Sequence, residues 1–213
     1  MWAQIKRFLE CATHKEKIYK YLFTQISKML LNINALKVLE EFCLDYDKKV
    51  YGRQIALKNK MNQKTIANAL NGLEKQGILR YFTEGRNKYY SLNKLNPETK
   101  EIIKMVEIAR KNEFIEHHNK LKALFEELGK RAKGILIVFG SYANFTNKSD
   151  SDLDILNIDG SLDIEDIKDR FKVKINPVKI DLKKFNKEEV FIKEIIKNHV
   201  ILKGVEDFVD LIW

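Results

Sequence analysis

The stretch "FGSYANFTNKSDSDLDI", residues 139–155, constrains the fold of this chain more than any other. An apolar run, "GILIVF", leads into Gly140-Ser141, and a second apolar run begins at "DLDI". Because side chains alternate along a strand, Asp152 and Asp154 are expected on the same side of the second strand. Two ionised carboxylates so close together repel each other and need a compensating charge. The pattern therefore predicts two strands that bring a cation-binding site to their ends.

Magnesium is the cation that this arrangement fits best. Mg²⁺ is bound by carboxylate oxygens and shares its coordination shell with phosphates. A Gly-Ser pair between a strand and a helix offers backbone N–H groups and a hydroxyl to a phosphate. We therefore expect Asp152 and Asp154 to hold Mg²⁺ or Mn²⁺, and Gly140 and Ser141 to contact the phosphates of a nucleoside triphosphate.

Gly140-Ser141, ten intervening residues and then Asp152-Leu153-Asp154 resemble the signature of the DNA polymerase β-like nucleotidyltransferase superfamily. The short form, with "GSYA" and "SDSDLDI", most resembles the minimal nucleotidyltransferases, and the resemblance covers roughly residues 115–205. It implies a mixed sheet flanked by helices and two Mg²⁺ ions held by the two aspartates. It also implies that a hydroxyl attacks the α-phosphate while pyrophosphate leaves. Minimal nucleotidyltransferases often act as antitoxins that modify a partner toxin, so a partner protein is also implied.

The third carboxylate of that superfamily is where this sequence departs from the pattern. At the expected position, between apolar neighbours in "KINPV", the chain has Asn176, which carries no charge and cannot accept a proton. Asp181, in "KIDL", is the alternative candidate, although it is expected at the exit of the strand. A second departure is Asn144-Phe145 in place of the usual Arg-Gly, for which Lys148 is a candidate substitute.

The first half of the chain predicts a different kind of module. Over residues 32–92 the order is helix, short strand, helix, helix and hairpin. Asn32 and Asn62 are expected to cap two of these helices, Gly77 is expected to end the third, and the hairpin loop is expected over "TEGRN". This order resembles the winged helix-turn-helix domains of bacterial and archaeal transcription regulators. In the third helix the expected core positions are Ile66, Ala69, Leu70 and Leu73. The expected DNA-facing positions are Lys64, Asn68, Asn71 and Lys75 on that helix, with Arg86 and Lys88 on the wing.

Charge is distributed unequally between the two halves. Residues 1–96 carry 18 Lys and Arg against 8 Asp and Glu, a balance of +10, whereas residues 97–213 carry 21 against 22. A basic half joined to a neutral one favours contact of the basic half with a polyanion such as duplex DNA. The alternative is that the basic residues form an ordinary solvated surface on a protein-binding adaptor.

The predicted fold class is α+β in two domains. We expect an N-terminal helix over 1–30 that could pair two copies as a homodimer, and a winged helix over 31–95. A helical connector, one long helix bent near Asn112, is expected over 96–133, and a nucleotidyltransferase-like domain over 134–213. No apolar run is long enough for a membrane span, the first residues do not resemble a secretory signal, and two cysteines cannot build a disulfide framework. These features predict a cytoplasmic protein.

Two functions remain open at this stage. The first is a DNA-binding transcriptional regulator whose nucleotidyltransferase-like domain binds Mg-nucleotide, with catalysis weakened by the loss of the third carboxylate. The second is an active nucleotidyltransferase that transfers a nucleoside monophosphate from a triphosphate to a protein, as an antitoxin would, or to a nucleic acid.

Overall fold

The computed structural model describes residues 32–213, apart from the side chains of residues 168 and 169. Within that range, nine α-helices and seven strands build two separate sheets. The α+β architecture predicted from the sequence is thereby confirmed. The helix predicted over residues 1–30 lies outside the described residues.

The first half folds as a winged helix-turn-helix. Its elements in chain order are α1 (Ile33–Cys43), β1 (Val50–Tyr51), α2 (Gly52–Lys58), α3 (Gln63–Lys75), β2 (Leu79–Glu84) and β3 (Asn87–Leu92). The three strands form an antiparallel sheet in the order β1-β3-β2. The cap predictions are confirmed, because Asn32 accepts from the amides of the first turn of α1 and Asn62 accepts from the Lys64 amide.

The apolar face predicted for α3 is also confirmed. Its four predicted core positions are the buried residues of this helix: Ile66, Ala69, Leu70 and Leu73. They pack in one cluster with the buried face of α1, including Leu39 and Phe42. Burial of this stripe holds the outward face of α3 in a fixed orientation.

The hairpin loop is shorter than predicted. The sequence favoured a loop over "TEGRN", but Glu84 and Asn87 are paired in the ladder and leave a turn of Gly85 and Arg86. Gly85 has a φ of +60°, a conformation that a two-residue hairpin turn needs and glycine adopts at low cost. The wing therefore presents Arg86 at a tight tip.

The connector is two helices rather than one bent helix. Helix α4 (Pro97–His117) is followed by a short 3₁₀ turn (Asn119–Leu121) and by α5 (Lys122–Arg131). The helix continues past Asn112, and the chain leaves the helical conformation at His118, with φ −96° and ψ 42°. The His118 ring contacts the Tyr142 carbonyl and stacks on Phe145, so tertiary contacts decide where the helix ends.

The second half contains the mixed sheet. Its elements are β4 (Ile135–Phe139), α6 (Gly140–Ala143), β5 (Leu153–Ile158), α7 (Glu165–Phe171), β6 (Ile175–Ile180), a 3₁₀ turn (Leu182–Lys184), α8 (Val190–Lys197), β7 (His199–Lys203) and α9 (Val205–Ile212). The strand order is β6-β5-β4-β7, in which β5 and β6 are parallel and the other pairs are antiparallel. Pro177 lies on the edge strand β6, where the missing amide is tolerated.

Both faces of this sheet are covered by helices. One face packs on α5 and α7 through a cluster that contains Val138, Ile155 and Ile167. The other face packs on α8, α9 and α4 in a cluster that continues into the winged helix. Helix α4 contributes Ile103 and Val106 to this shared core, so the connector packs against both halves of the molecule.

Among residues 32–213, even the longest helix, the 21-residue α4, is interrupted by charged residues. The described part of the chain accordingly holds no helix that could cross a membrane.

Candidate functional site

The candidate nucleotide site begins with a row of residues across the second sheet. Asp154 on β5 is the register partner of Phe139 on β4 and of Asn176 on β6. The Asn176 amide nitrogen donates to Asp154 Oδ1 over 3.0 Å. The position opposite Asp154 on the neighbouring strand is thus held by a neutral amide.

Asp152 lies one residue before β5, which begins at Leu153, so the prediction that the strand includes both aspartates is corrected. The pairing still extends past the strand end, because the Leu153 amide donates to the Lys174 carbonyl over 2.8 Å. The Lys174 ammonium donates to Asp152 Oδ2 over 2.6 Å. Each aspartate therefore faces a donor from β6 or its entry, and sequence reasoning missed Lys174.

Gly140 gives the Asp154 carboxylate its space. A Cβ at Gly140 would lie 2.5 Å from Asp154 Oδ2, and its φ of +71° is itself unfavourable for other residues. Ser141 is the next residue, half-buried, and its carbonyl accepts from the Thr146 amide over 2.9 Å. The structure therefore brings the predicted phosphate-contacting pair against the predicted metal ligand.

Asp181 lies away from this row. It follows β6 directly, and its carbonyl accepts from the Lys184 amide at the start of a 3₁₀ turn. It lies five positions after Asn176 along the chain, roughly 16 Å at the usual rise per residue of a strand. Of the two residues considered for the third-acid position, Asn176 is the one beside Asp154.

The turn after Gly140-Ser141 has Asn144-Phe145 at the positions where the resemblance implies Arg-Gly. Phe145 is exposed, has a φ of +57°, and contacts the rings of His117 and His118. Burial lowers the pKa of His118 and outweighs the bond to the Tyr142 carbonyl, so this ring is neutral at pH 7. Lys148, the candidate substitute for the missing arginine, is exposed on the loop before Asp152.

The donor set fits one divalent ion better than two. Asp152 and Asp154 are hard oxygen ligands, and Gly140 keeps the space beside Asp154 Oδ2 open. Among residues 32–213, however, no three His, Cys, Asp or Glu side chains cluster as a metal site would need. Asp152 and Asp154 would hold a single Mg²⁺, and among the described residues no third acid stands beside them for a second ion.

The candidate DNA interface lies on the other half of the molecule. A cavity of about 560 Å³ opens between α2, α3 and the wing. Three of the predicted residues line it: Lys64, Asn71 and Lys88. Asn71 is engaged within the protein, since its Oδ1 accepts from the Tyr90 hydroxyl at 2.9 Å and from Lys88 at 3.4 Å. Asn71 thus ties α3 to the wing.

The other predicted DNA-facing residues are more dispersed. Asn68 lines a small cavity of about 60 Å³ towards α1, whereas Lys75 and Arg86 are exposed at the end of α3 and at the wing tip. Arg53 and Gln63 line the large cavity beside Lys64 and were missed. Their position at the start of α2 and of α3 was readable from the helix boundaries.

A buried polar cluster joins the two halves. Glu107 on α4 accepts from the Tyr46 hydroxyl at 3.1 Å and from Arg110 at 2.6 Å, and lies 3.4 Å from His199 Nε2. Burial alone would raise the pKa of Glu107, but Arg110 and His199 outweigh it and lower the pKa to about 2. Because His199 is the register partner of Phe139, this cluster touches the strand that leads into Gly140.

Comparison with known families identifies the second half. Residues 118–203 match the family model of the nucleotidyltransferase domain. The match confirms the resemblance expected from Gly140-Ser141 and the two aspartates. The described residues thus combine a winged helix-turn-helix arrangement of elements with a region that matches the nucleotidyltransferase domain model. No curated protein matches the sequence.

The comparison with solved structures also gave matches. One is the homodimeric winged helix-turn-helix DNA-binding domain of a possible ArsR-family transcriptional regulator from Mycobacterium bovis, 18% identical, with 46% of this chain and 86% of that chain covered and a TM-score of 0.36. Another is reduced HlyU from Vibrio cholerae, which is 16% identical. The match covers 46% of this chain and 97% of that chain, with a TM-score of 0.38. A third is a toxin-antitoxin with AMP-PNP, which is 20% identical. The match covers 44% of this chain and 78% of that chain, with a TM-score of 0.32.

Proposed function

We propose that this chain is a DNA-binding transcriptional regulator whose nucleotidyltransferase domain binds Mg-nucleotide. In this proposal the domain transfers the nucleoside monophosphate slowly or not at all. The observation that carries the proposal is the bond between Asn176 and Asp154. Asn176 stands at the position where the resemblance implies a third carboxylate. A neutral amide there leaves nucleotide binding possible but removes a proton acceptor from the reaction.

In this proposal each part of the site has a separate task. Asp152 and Asp154 would hold one Mg²⁺, which when bound neutralises phosphate charge. Gly140 and Ser141 would contact the polyphosphate, in the space that the missing Cβ leaves beside Asp154. Asn176 orients the Asp154 carboxylate by donating to Oδ1, and it cannot take the proton of an attacking hydroxyl. Loss of a positioned base typically lowers a rate by ~10²–10⁴-fold.

The DNA-binding half of the proposal rests on the exposed basic groups around α3 and the wing. Lys64 and Arg53 line the cavity between α2, α3 and the wing, and Arg86 projects from the two-residue turn. Exposed lysines and arginines on such a face neutralise phosphates and release counterions. A second copy of the chain would match a two-fold operator.

The proposal is tested by measuring DNA binding and nucleotide binding on the same preparation. Fluorescence anisotropy with random and genomic duplexes at several salt concentrations gives affinity, stoichiometry and salt slope. Calorimetry with ATP, CTP, GTP and UTP in Mg²⁺ buffer gives nucleotide affinity, with Asp152→Ala as the matched control. Duplex binding with a steep salt slope and nucleotide binding lost in Asp152→Ala support the proposal. Absence of duplex binding at low salt contradicts the regulator.

The second candidate function is an active nucleotidyltransferase that modifies a protein, in the manner of an antitoxin, or a nucleic acid. The juxtaposition of Gly140 with Asp154 favours it, because the phosphate-contacting and ligand positions are retained together. In the reaction an acceptor hydroxyl gives its proton to solvent water and bonds to the α-phosphorus, while the bond from that phosphorus to the pyrophosphate oxygen breaks. Transfer of α-labelled nucleotide to any acceptor, abolished by Asp154→Ala, would establish this function over the first.

A further inference from the structure

We propose that Lys174 is an internal competitor for the metal: its ammonium occupies Asp152 until a nucleotide draws it away, so that metal binding depends on nucleotide. The inference deepens the proposed function, since it concerns the same site. It rests on the 2.6 Å contact between Lys174 Nζ and Asp152 Oδ2.

The contact is built into the strand pairing. Lys174 immediately precedes β6 and Asp152 immediately precedes β5, and the Leu153 amide bonds to the Lys174 carbonyl. The next pair along the same side is Asn176 with Asp154. Lys174 and Asn176, two residues apart, therefore each donate to one aspartate: a charged ammonium to Asp152 and a neutral amide to Asp154. Together the four side chains have a formal charge of −1.

This charge sets how strongly the two aspartates attract a cation in the absence of nucleotide. Without a neighbouring ammonium, the two carboxylates would have a formal charge of −2 and would attract a divalent cation. With Lys174 in place the attraction is reduced, and one oxygen of Asp152 is already occupied. A hard cation must therefore displace the ammonium before it can use both aspartates.

The competitor is easily displaced, because the Lys174 side chain is 78% exposed and that of Asp152 is 36% exposed. Exposed ion pairs contribute little to stability, and lysine is a point charge on a flexible stem. A triphosphate beside Gly140 would offer the ammonium a more highly charged partner. Lys174 would then move from Asp152 to the phosphates and free the carboxylate for the metal.

The test measures Mn²⁺ binding without nucleotide by electron paramagnetic resonance, in the wild type and in Lys174→Met. We expect Lys174→Met to bind Mn²⁺ roughly three- to tenfold more tightly, from removal of one charge at contact distance near the surface. Lys174→Arg, which keeps the cation, should bind as weakly as the wild type. Lys179→Met is the matched control, because this exposed lysine is on the same strand, opposite Asn157 and beyond the two aspartates.

Addition of ATP gives the second readout. In the wild type ATP should strengthen Mn²⁺ retention on the protein, whereas in Lys174→Met this enhancement should shrink because the competitor is already absent. Equal Mn²⁺ affinities for Lys174→Met, Lys179→Met and wild type would overturn the inference while leaving nucleotide binding intact. If calorimetry shows no binding of Mg-nucleotide to any of these proteins, the proposed function fails as well.

Discussion

Asn176 and Asp154 stand opposite each other on neighbouring parallel strands, and the Asn176 amide donates to the carboxylate over 3.0 Å. A carboxylate at the same register would face Asp154 as a like charge and would need a cation between them. The amide removes this need, because it binds Asp154 directly. The pairing therefore leaves no like charge beside Asp154 and places no proton acceptor at this register.

Asn176→Asp should convert the pair into a metal-requiring site. Without metal, the added charge should lower the thermal midpoint through repulsion of Asp154. Mg²⁺ should restore that midpoint and bind about tenfold more tightly than to the wild type, because a third acidic ligand strengthens the site. Differential scanning fluorimetry with and without Mg²⁺ measures both effects. Asn176→Ala, which loses the hydrogen bond without adding charge, is the control, and identical Mg²⁺ responses for the two variants would contradict the geometry.

Gly140→Ala should abolish nucleotide binding. The new methyl group would collide with Asp154 Oδ2, and the backbone would hold alanine at a φ of +71°. We expect a loss of about 1–3 kcal/mol in stability and displacement of the Asp154 carboxylate. Calorimetry with Mg-ATP and urea unfolding measure the two effects.

Gly129→Ala in α5 is the control for that substitution. Its Cβ would meet the Leu202 carbonyl at 3.8 Å, an ordinary contact, so stability should be kept or raised by roughly 0.5–1 kcal/mol. Retention of Mg-ATP binding by Gly140→Ala would show that the space beside Asp154 is not needed for the nucleotide.

Lys64→Ala and Arg86→Ala should each weaken duplex binding across sequences and reduce the magnitude of the salt slope by about one. The reason is that each exposed cation would neutralise one phosphate, on α3 and on the wing tip respectively. Anisotropy titrations from low to high salt measure the slope. Lys122→Ala removes an equal charge from α5 in the other half and should leave the slope unchanged. A slope that is equally altered by all three variants would point to non-specific attraction.

Glu107→Gln should destabilise the junction of the two halves by about 3–5 kcal/mol at pH 7, since it leaves the largely buried Arg110 without its counter-charge. The pKa of Glu107 is about 2, below its ordinary value of 4.5, so its contribution to the free energy of unfolding is present above pH 4.5. It is lost as pH falls from there towards 2.

Urea unfolding at pH 7 and pH 3.5 compares the wild type with this variant. The wild type should lose more stability on acidification than Glu107→Gln, with the exposed Glu189→Gln behaving as the wild type. Parallel losses in the wild type and Glu107→Gln would contradict the role of the buried cluster.

Much of this fold was predictable because its signals are local. Asn32 and Asn62 sit at the helix starts, and the stripe from Ile66 to Leu73 has a helical period, so the caps and the core face of α3 followed from the sequence. The nucleotidyltransferase domain was predictable from the spacing of Gly140 and the two aspartates. Such short-range patterns are set by backbone chemistry that depends little on the rest of the chain.

What the sequence did not reveal depends on contacts between distant segments. The helix break at His118 follows from its contacts with Tyr142 and Phe145, which no local propensity encodes. Lys174 was overlooked because its partner is 22 residues away and only the register of β5 and β6 brings them together. The cluster around Glu107 was missed for the same reason, because Tyr46 lies in the loop after α1 and His199 lies on β7.

We expect Asp152, Asp154 and the Gly140-Ser141 turn to form one Mg-nucleotide site. Isothermal titration calorimetry of the chain spanning residues 1–213 with each nucleoside triphosphate in Mg²⁺ buffer measures this binding. Saturable heat is expected with at least one triphosphate, lost in both Asp152→Ala and Asp154→Ala and retained in Lys179→Met. Absence of heat with all four triphosphates, or heat that persists in the aspartate variants, would contradict it.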